Sequence, residues 1–521
     1  MKSYITFLRD FVFSPFIHYY MAFSACIVLI ASLSSCDMGS KGRYKFQPES
    51  MHWLQFRGPN ASGIAPENAD PPVHFSADTN LLWKTELLPG WSSPCIVNDK
   101  IFLTGFDESD SLLYTLAINR ENGGILWKDS VTPHNYYSQV PFNSYASPTV
   151  SSDGKKVFAY FTNYGLIAYE LNGTSCWDIQ FNLTFHREAG AISPLVLDSI
   201  IIMIINSSSD PKLLALSCLT GDTIWMVGQL EHQGTGSGLD ATPVIWNNNI
   251  IIHQGGEITG YNLFNGQLVW WLKTPTKGVG TPVIHDDILF LNSWTNLGNP
   301  SASSTQPTFD EFVRVYDKNA NMKIEKEEIS DVDLIMKRPE GSDLPGKSIT
   351  GSATAIWALF DNNGDGSLEE SEWSGIWEYV KATGVHGMLA LPLEGSGERP
   401  VTDIKWKINE DSPETPSPLI VNEDVMFIKN GGIMTVINQE TGIIVHKDRI
   451  GAAGSYLSSP MLAGNRIYTC SYNGTVTVLS ADDYSVLARN KLEGKIGASP
   501  VAIDDVLYIR TDKHLYAFRD Q

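Results

Sequence analysis

Oxygen-bearing residues recur at fixed spacing between residues 361 and 372. This stretch places Asp361, Asn363 and Asp365 at its first, third and fifth positions, with Gly366 at the sixth. The remaining oxygens come from Ser367, Glu369 and Glu372 at the seventh, ninth and twelfth positions. Ca²⁺ takes about six to eight oxygen ligands on a flexible frame, and a glycine at the sixth position permits the sharp turn around the ion. The spacing therefore predicts a calcium-binding loop that Glu372 closes as a bidentate ligand.

Apolar residues flank this loop on both sides, as a helix–loop–helix unit requires. They are Ile356, Leu359 and Phe360 before the loop and Trp373, Ile376 and Trp377 after it. Together with Leu368 at the eighth position, the pattern is that of an EF-hand. The alternative, a solvated acidic turn, does not explain why the motif and its flanks agree.

A second stretch, residues 317–328, repeats the spacing with one departure. Its oxygen donors are Asp317, Asn319, Asn321, the carbonyl of Lys323, Glu325 and Glu328. Met322 replaces glycine at the sixth position, where a positive φ costs energy in a non-glycine residue. Lys323 also adds a positive charge. We expect one strong calcium site at 361–372 and a weaker or structural partner loop here, paired through Ile324 and Leu368.

The first 35 residues have the composition of an export signal. Lys2 and Arg9 precede an apolar run from about residue 21 to residue 33, which is too short for a comfortable membrane span. Residues 33–36 read Leu-Ser-Ser-Cys and resemble a bacterial lipobox. Lipidation of Cys36 would tether the chain to a membrane of the bacterial cell envelope, periplasmic or outer-membrane associated. An ordinary signal peptide with a chance cysteine is the alternative.

The composition limits the classes of fold and function to which this protein can belong. The chain has 521 residues, of which only 18% are charged, and its 43 glycines and 14 tryptophans suit a turn-rich β protein. A formal net charge of -21 excludes a nucleic-acid binder, which needs a basic surface. The cysteines after the signal lie in apolar, strand-like runs and are expected to be buried free thiols: Cys95, Cys176, Cys218 and Cys470.

A repeat runs through the chain. A Ser/Thr-Pro pair followed by apolar residues begins at Ser93, Ser147, Ser193, Thr242, Thr281, Ser417, Ser459 and Ser499. Each pair opens a unit of short strands separated by turns, which is typical of a β-propeller blade. The last unit lacks a fourth strand, and residues 81–84 supply one. The repeat predicts an all-β, eight-bladed propeller with four-stranded blades, closed by an N-terminal strand.

One interval, from Pro282 to Pro418, is far longer than the others. It places the calcium loops in a small α-helical insertion between the second and third strands of blade five. The predicted organisation is a signal peptide (1–35), a tether and lead-in (36–78), blades one to four with the first part of blade five (79–292), the insertion (293–385), and the rest of blade five with blades six to eight (386–521).

The repeat resembles the quinoprotein-alcohol-dehydrogenase-like, or PQQ-type, propeller superfamily. The resemblance rests on a Thr-Gly-like turn before a tryptophan, at Trp127, Trp177, Trp225, Trp270 and Trp406, and on the lead-in at residues 53–59. It implies that these tryptophans dock neighbouring blades. His446 and about Ala488 replace the tryptophan in blades six and seven, which puts the docking in doubt there.

The resemblance leaves the activity open. Quinoprotein dehydrogenases hold PQQ over the propeller axis against a disulfide of adjacent cysteines, with Ca²⁺ and an aspartate base. This sequence has no adjacent cysteines, and its calcium motif lies in an insertion, so PQQ is not favoured. The chain is also similar to the non-catalytic BamB family, lipid-anchored propellers of the outer-membrane assembly machinery, which have no such insertion. A scaffold for envelope proteins is therefore preferred over a PQQ-dependent dehydrogenase or a carbohydrate-binding envelope protein.

A polymeric or small-molecule ligand on the propeller would meet the loops that lead into the innermost strands. Those loops carry Trp91, Asn143, Tyr145, Arg187, Glu188, Asp240 and Tyr456. Aromatic side chains with a few polar groups make a plausible binding site. The same residues occur equally in ordinary packing between blades.

Overall fold

The structure is a computed structural model. It describes residues 52–136, 143–181, 191–207, 211–228, 230, 241–273, 279–293, 308–329, 333–335, 350–352, 357, 361, 363–374, 387–408, 412–413 and 415–520.

Strands are the main secondary structure of the described residues. Those before the long interval are β1 (His52–Trp53), β2 (Leu81–Glu86), β3 (Cys95–Val97), β4 (Lys100–Asp107), β5 (Leu112–Asn119), β6 (Ile125–Val131), β7 (Ser151–Ser152), β8 (Lys156–Phe161), β9 (Gly165–Glu170), β10 (Ser175–Gln180), β11 (Leu195–Leu197), β12 (Ile200–Ile205), β13 (Lys212–Ser217), β14 (Thr223–Gly228), β15 (Val244–Trp246), β16 (Asn249–Gln254), β17 (Glu257–Asn262), β18 (Leu268–Lys273), β19 (Val283–His285) and β20 (Ile288–Ser293). Within the interval are helix α1 (Phe309–Tyr316) and strands β21 (Ile324–Glu325), β22 (Asp333–Ile335), β23 (Thr350–Ser352) and β24 (Ser367–Leu368). The chain continues with β25 (Gly387–Pro392), β26 (Gly397–Arg399), β27 (Trp406–Ile408), β28 (Leu419–Val421), β29 (Asp424–Lys429), β30 (Ile433–Asn438), β31 (Ile444–Arg449), β32 (Met461–Ala463), β33 (Arg466–Cys470), β34 (Thr475–Ser480), β35 (Val486–Lys491), β36 (Val501–Ile503), β37 (Val506–Arg510) and β38 (His514–Phe518).

The strands form eight antiparallel blades. Blades one to four are β3–β6, β7–β10, β11–β14 and β15–β18; blade five is β19, β20, β25 and β27; blades six and seven are β28–β31 and β32–β35. Blade eight consists of β36–β38 and the early strand β2, which pairs with β38 as predicted. The eight-bladed all-β propeller is therefore confirmed. Strands β20 and β25 are neighbours in one sheet, and the chain between them, residues 294–386, is the long insertion.

Polar residues make the turn between the first and second strands of the blades. Asn98, Asp198 and Asp504 take φ values of 53°, 52° and 55°. Asn and Asp tolerate this left-handed conformation better than other non-glycine residues. These turn residues therefore have a structural role.

Tryptophans on the outermost strands dock five of the blades onto the blade that follows. Five indole N–H groups donate to carbonyl oxygens of the following blade at 2.7–3.4 Å, in the pairs Trp83–Arg120, Trp127–Leu171, Trp177–Cys218, Trp225–Leu263 and Trp406–Gln439. A glycine with positive φ covers each indole, and an added Cβ would lie 2.6–2.9 Å from the ring: Gly123, Gly173, Gly221, Gly266 and Gly442. The turn before the tryptophan needs glycine because the ring of the preceding blade occupies that space.

Trp270 in blade four is covered differently. The loop that follows β25 carries β26, which pairs in parallel with β18 and adds a fifth strand to the outer edge of blade four. The guanidinium of Arg399 lies over the Trp270 ring at 5.3 Å and also contacts Asp403 at 2.9 Å. A cation–π contact thus takes the place of the glycine turn.

His446 and Tyr484 show a second substitution of the docking pair. His446 occupies the tryptophan position opposite Val436, and Tyr484 stands in the next blade's turn with φ of 60°. The two rings are 5.4 Å apart. The smaller imidazole leaves room for the tyrosine ring where other blades have glycine, so docking persists without tryptophan.

A closed ring of hydrogen bonds surrounds the propeller axis. In each blade a backbone N–H donates to the hydroxyl of the next blade at 2.9–3.3 Å, in the order Ser93, Thr149, Ser193, Thr242, Thr281, Ser417, Ser459, Ser499 and back to Ser93. All eight side chains are buried. This ring explains why a Ser or Thr recurs at the start of each unit.

The ring corrects the alignment of blade two. The sequence pattern assigned its start to Ser147, but Thr149 supplies the ring hydroxyl. Ser147 instead donates to Asn143 Oδ1 at 2.6 Å within the preceding turn. A Ser-Pro pair two residues before the true position produced the misalignment.

The expectation of buried thiols holds for three of the four described cysteines. Cys95, Cys218 and Cys470 are buried, whereas Cys176 is exposed. Cys176 lies on β10, an outermost strand, and faces away from the docked side that carries Trp177. The apolar run around Cys176 did not reveal which face of the strand is covered. Among the described residues, no helix is long and apolar enough to cross a membrane.

Candidate functional site

We number the two loops in chain order, so that residues 317–328 are the first loop and residues 361–372 the second. The second loop folds around its own carboxylates. Asp361 accepts the backbone N–H groups of Asp365 and Gly366 at 3.1 and 3.0 Å. Glu372 accepts those of Glu369 and Asn363 at 3.1 and 3.4 Å. Gly366 takes φ of 83°, the left-handed turn expected at the sixth position. These bonds hold the first and last acidic residues of the loop against its backbone N–H groups.

Asp365 is held ionised within this loop. The backbone N–H of Ser367 donates to it at 2.8 Å, and the Ser367 hydroxyl donates to the same oxygen at 2.8 Å. These two bonds lower the pKa of Asp365 below its usual range. A deprotonated carboxylate at the fifth position is the form that a hard cation requires.

The first loop, residues 317–328, repeats this arrangement. Asp317 accepts from the N–H groups of Asn321 and Met322 at 3.2 and 2.8 Å. Glu328 accepts from Lys318 at 2.8 Å, and the pKa of Glu328 is lowered because backbone hydrogen bonds outweigh the effect of burial. Met322 takes φ of 63°, the strained conformation that the missing glycine predicted.

The two loops lie side by side. Ile324 of β21 pairs with Leu368 of β24 in an antiparallel bridge, as the eighth-position residues were expected to do. Lys323 Nζ of the first loop contacts Glu369 Oε1 of the second at 2.6 Å, a contact that sequence reasoning missed. This bridge and ion pair join the loops into one unit.

A separate apolar cluster supports the loops. Helix α1 begins with a capping box at Thr308 and Glu311 and buries its face against residues that follow both loops. Phe312 and Trp373 stack at 4.3 Å, and Trp357 donates its indole N–H to Asp361 Oδ2 at 3.0 Å. The cluster comprises Phe309, Phe312, Val313, Ile324, Ile329, Trp357, Leu368 and Trp373.

The donor chemistry of both loops fits calcium. The predicted donors are carboxylate, amide and backbone carbonyl oxygens, without sulfur or imidazole, and such sets suit hard cations. Four of the side-chain donors in the second loop are carboxylates, against three in the first. Among the described residues, the two loops included, no group of three or more His, Cys, Asp and Glu side chains is gathered closely enough to hold a metal ion.

A lead-in segment closes one end of the propeller. We use the term axial plug for residues 52–70, which bond to the innermost strands of the blades or to residues next to those strands. The plug begins with β1, which pairs with the innermost strand of blade one. Its further partners are Ser152, Val196, Ile245, Pro418, Leu462 and Asp504, one from each of blades two, three, four, six, seven and eight.

Two side chains fix the plug. Asn60 donates to the carbonyl of Ile245 at 2.9 Å and accepts its N–H at 2.7 Å. Arg57 is buried and donates to the carbonyl of Pro418 at 2.8 Å, and burial lowers the pKa of Arg57 to about 9. The lead-in that resembled bacterial PQQ-type proteins is thus a structural element at the axis.

The opposite end carries the predicted ligand residues that the structure describes. Trp91 and Tyr145 lie on adjacent loops, since the Trp91 N–H donates to the carbonyl of Ala146 at 3.0 Å. Trp91 also packs against Tyr472 at 5.9 Å, and Lys495 lies over the Tyr472 ring at 5.5 Å. Sequence reasoning missed Tyr472 and Lys495 because neither falls in the repeat pattern.

Other candidates have structural partners or lie outside the described residues. Tyr456 is buried and donates to the carbonyl of Ala452 at 2.8 Å, a packing role between blades. Asn143 accepts from Ser144 and Ser147 in a turn. Four predicted residues lie outside the described ranges: Cys36, Arg187, Glu188 and Asp240.

These features define an eight-bladed propeller of the PQQ type, plugged at one end and carrying a paired-loop insertion in blade five. Residues 109–307 and 398–521, more than half of the chain, match the family described as outer membrane protein assembly factor BamB. The chain belongs to that family. The match is interrupted over the stretch that contains both loops.

Several solved structures are similar to this chain at low sequence identity. BamB from Moraxella catarrhalis is 12% identical with a TM-score of 0.47, covering 84% of this chain and 99% of its own. The computationally designed Ika8 protein is 9% identical with a TM-score of 0.51, covering 85% and 99%. A quinohemoprotein alcohol dehydrogenase from Pseudomonas putida HK5 is 13% identical with a TM-score of 0.47, covering 90% and 80%. A search of curated proteins finds no match to this sequence.

Proposed function

We propose that this protein is a calcium-binding, lipid-anchored scaffold of the bacterial cell envelope. Its binding surface for a protein partner is the propeller face opposite the axial plug. The plug carries this proposal, because it bonds to strands or turns of seven blades and closes one end of the axis. The family assignment supports a role as an interaction partner in the envelope.

The partner surface can be tested with opposed charge reversals. Lys495 is exposed beside Trp91 and Tyr472 at the open end, and Glu423 is exposed in a turn at the plugged end. Lys495→Glu should reduce by several-fold the partner recovered with the tagged protein from solubilised envelopes, and Glu423→Lys should leave recovery unchanged. Equal recovery with both variants, or loss only with Glu423→Lys, would contradict the assignment of the face.

A second experiment tests the alternative function, that of a PQQ-dependent dehydrogenase. The purified chain mixed with PQQ and Ca²⁺ should show neither a bound-quinone spectrum nor dye-linked oxidation of alcohols or sugars. A bound quinone with turnover would replace the scaffold proposal with that of a dehydrogenase.

Calcium binding in the insertion serves to hold its two loops in one arrangement. Exported proteins meet Ca²⁺ well above cytosolic levels, so an affinity of about 10⁻⁴–10⁻³ M suffices for a structural site. Asp361→Ala combined with Glu372→Gln should remove the stronger site from a calorimetric titration. Glu370→Gln, an exposed neighbour outside the ligand positions, should retain it. Unchanged stoichiometry in the double variant would exclude the second loop as a site.

The lipid anchor is tested by fractionation. Cys36→Ser should move the protein from the membrane fraction to the soluble envelope fraction, whereas Cys26→Ser, within the apolar run of the signal, should not. Continued membrane retention of Cys36→Ser would exclude Cys36 as the anchor.

A further inference from the structure

Lys323 contributes to both loops of the insertion, through its backbone to the first and through its side chain to the second. Its backbone belongs to the seventh position of the first loop, where the carbonyl is the expected ligand. Its ammonium reaches across to the ninth-position carboxylate of the second loop, with 2.6 Å between Lys323 Nζ and Glu369 Oε1. The bridge between Ile324 and Leu368 holds the two backbones next to each other beside this contact.

The ion pair is positioned rather than incidental. Ile324, the next residue after Lys323, is fully buried, and Leu368, the residue before Glu369, is almost fully buried. Both charged side chains therefore start from backbone that cannot shift freely. The side chains themselves remain partly exposed, at 42% for Lys323 and 44% for Glu369, so salt screens their interaction.

We infer that Lys323 sets the calcium affinity of the second loop by engaging Glu369. This inference rests on the proposed calcium function of that loop. The ammonium removes one of four carboxylates from the ligand positions and leaves a positive charge beside the cation. Both effects weaken Ca²⁺ binding by the second loop, and both come from a side chain of the first loop.

The test uses the full chain with Glu328→Gln, which disables the first loop so that calorimetry reports the second. Lys323→Met keeps the backbone carbonyl and the length of the side chain but removes the charge. A unit charge several ångströms from a divalent ion at a solvated surface changes its binding constant by roughly three- to tenfold. Lys323→Met should tighten Ca²⁺ binding by about that factor at low salt, and by less in concentrated NaCl.

Lys326→Met is the matched control. Lys326 is exposed in the same loop and makes no ion pair among the described residues, so it removes an equal charge without freeing Glu369. We expect it to change the dissociation constant less than twofold. The effect of Lys323→Met should fall by at least half in a Glu369→Gln background, because the carboxylate that it frees is then absent.

Equal effects of Lys323→Met with and without Glu369, or an unchanged dissociation constant, would overturn this role for Lys323. That failure is distinct from failure of the calcium proposal. If the second loop binds no Ca²⁺, calorimetric titrations of the wild type and of Glu372→Gln give the same heat.

Discussion

The backbone N–H of Ser499 donates to Ser93 Oγ at 3.0 Å and joins the last blade to the first. Around this bond the same seam has two buried or half-buried guanidinium groups. Arg510 donates to the carbonyls of Ser92 and Thr104 at 2.9 and 2.7 Å. Arg120 contacts Asp504 at 2.7 Å. Hydrogen bonds and an ion pair therefore add to the hydrophobic packing at the seam that closes the propeller.

The hydroxyl ring predicts a contrast between two residues of blade two. Thr149→Val keeps the side-chain shape but leaves the buried N–H of Ser93 without its acceptor. An unmade hydrogen bond of this kind costs about 1–3 kcal/mol of unfolding free energy. Ser147→Ala, outside the ring, should cost less than half as much. Urea denaturation of both variants measures the difference, and a larger loss for Ser147→Ala would refute the assignment of the ring.

The docking pair of blades six and seven predicts strong coupling. His446→Trp alone should destabilise the protein because the larger ring meets Tyr484. Adding Tyr484→Gly recreates the arrangement of the other blades, with a glycine at φ near 60° over an indole. The double variant should therefore recover much of the loss, with a coupling of about 1–3 kcal/mol. Additive effects in a thermal-denaturation cycle would show that the two rings do not interact.

The axial plug predicts a large effect for one amide. Asn60→Ala leaves both the N–H and the carbonyl of Ile245 without their side-chain partner, and it places a non-glycine, non-Asn residue at φ of 49°. We expect the melting temperature to fall by several degrees, consistent with about 1–3 kcal/mol for unpaired buried groups. Asn68→Ala, whose amide bonds an exposed carboxylate, is the control and should change little. Equal melting temperatures would mean that the plug is not held through Asn60.

Buried His253 predicts acid sensitivity. Its two ring nitrogens have no hydrogen-bond partner among the described residues, and burial lowers its pKa from 6.5 to about 4. The unfolded chain therefore binds a proton more readily than the folded one between these values. The stability contribution is present above pH 6.5 and is lost as the pH falls toward 4, by up to about 3 kcal/mol.

His253→Leu should reduce that loss. The comparison is the fall in unfolding free energy between pH 7 and pH 4.5 for wild type and variant, with exposed His74→Gln as the control. If the variant loses as much stability as the wild type, His253 is not the group responsible.

The periodic features of the sequence were the ones that predicted structure. Eight hydroxyl–proline starts indicated eight blades, and residues 81–84 were correctly placed in the last of them. The sequence pattern could not separate Ser147 from Thr149 as the ring residue of blade two. The two residues are two positions apart, so their side chains would lie on the same face of a strand. The bonds that Thr149 makes to Ser93 and Ser193 of the neighbouring blades distinguish the two residues.

Contacts between distant, non-repeating residues could not be predicted in the same way. The plug has no internal period, so nothing in the spacing of Asn60 indicated Ile245 as its partner. Lys323 was recognised as a positive charge near its own loop. Its contact with Glu369, 46 residues further along the chain, depends on how the two loops are set side by side, which the motif alone does not determine.

The pairing of β2 with β38 has a consequence for the order of folding. Synthesis produces β2 before any of the blades and β38 after seven of them. Strand β2 therefore has no partner while the intervening blades form. The final closure brings together segments separated by over 400 residues (Leu81 and Phe518 pair directly), and such long-range contacts form slowly. Until then the incomplete ring has two open edges that can pair with other chains. The step at which this protein is most exposed to misassembly is therefore the last one, when its early and late strands meet.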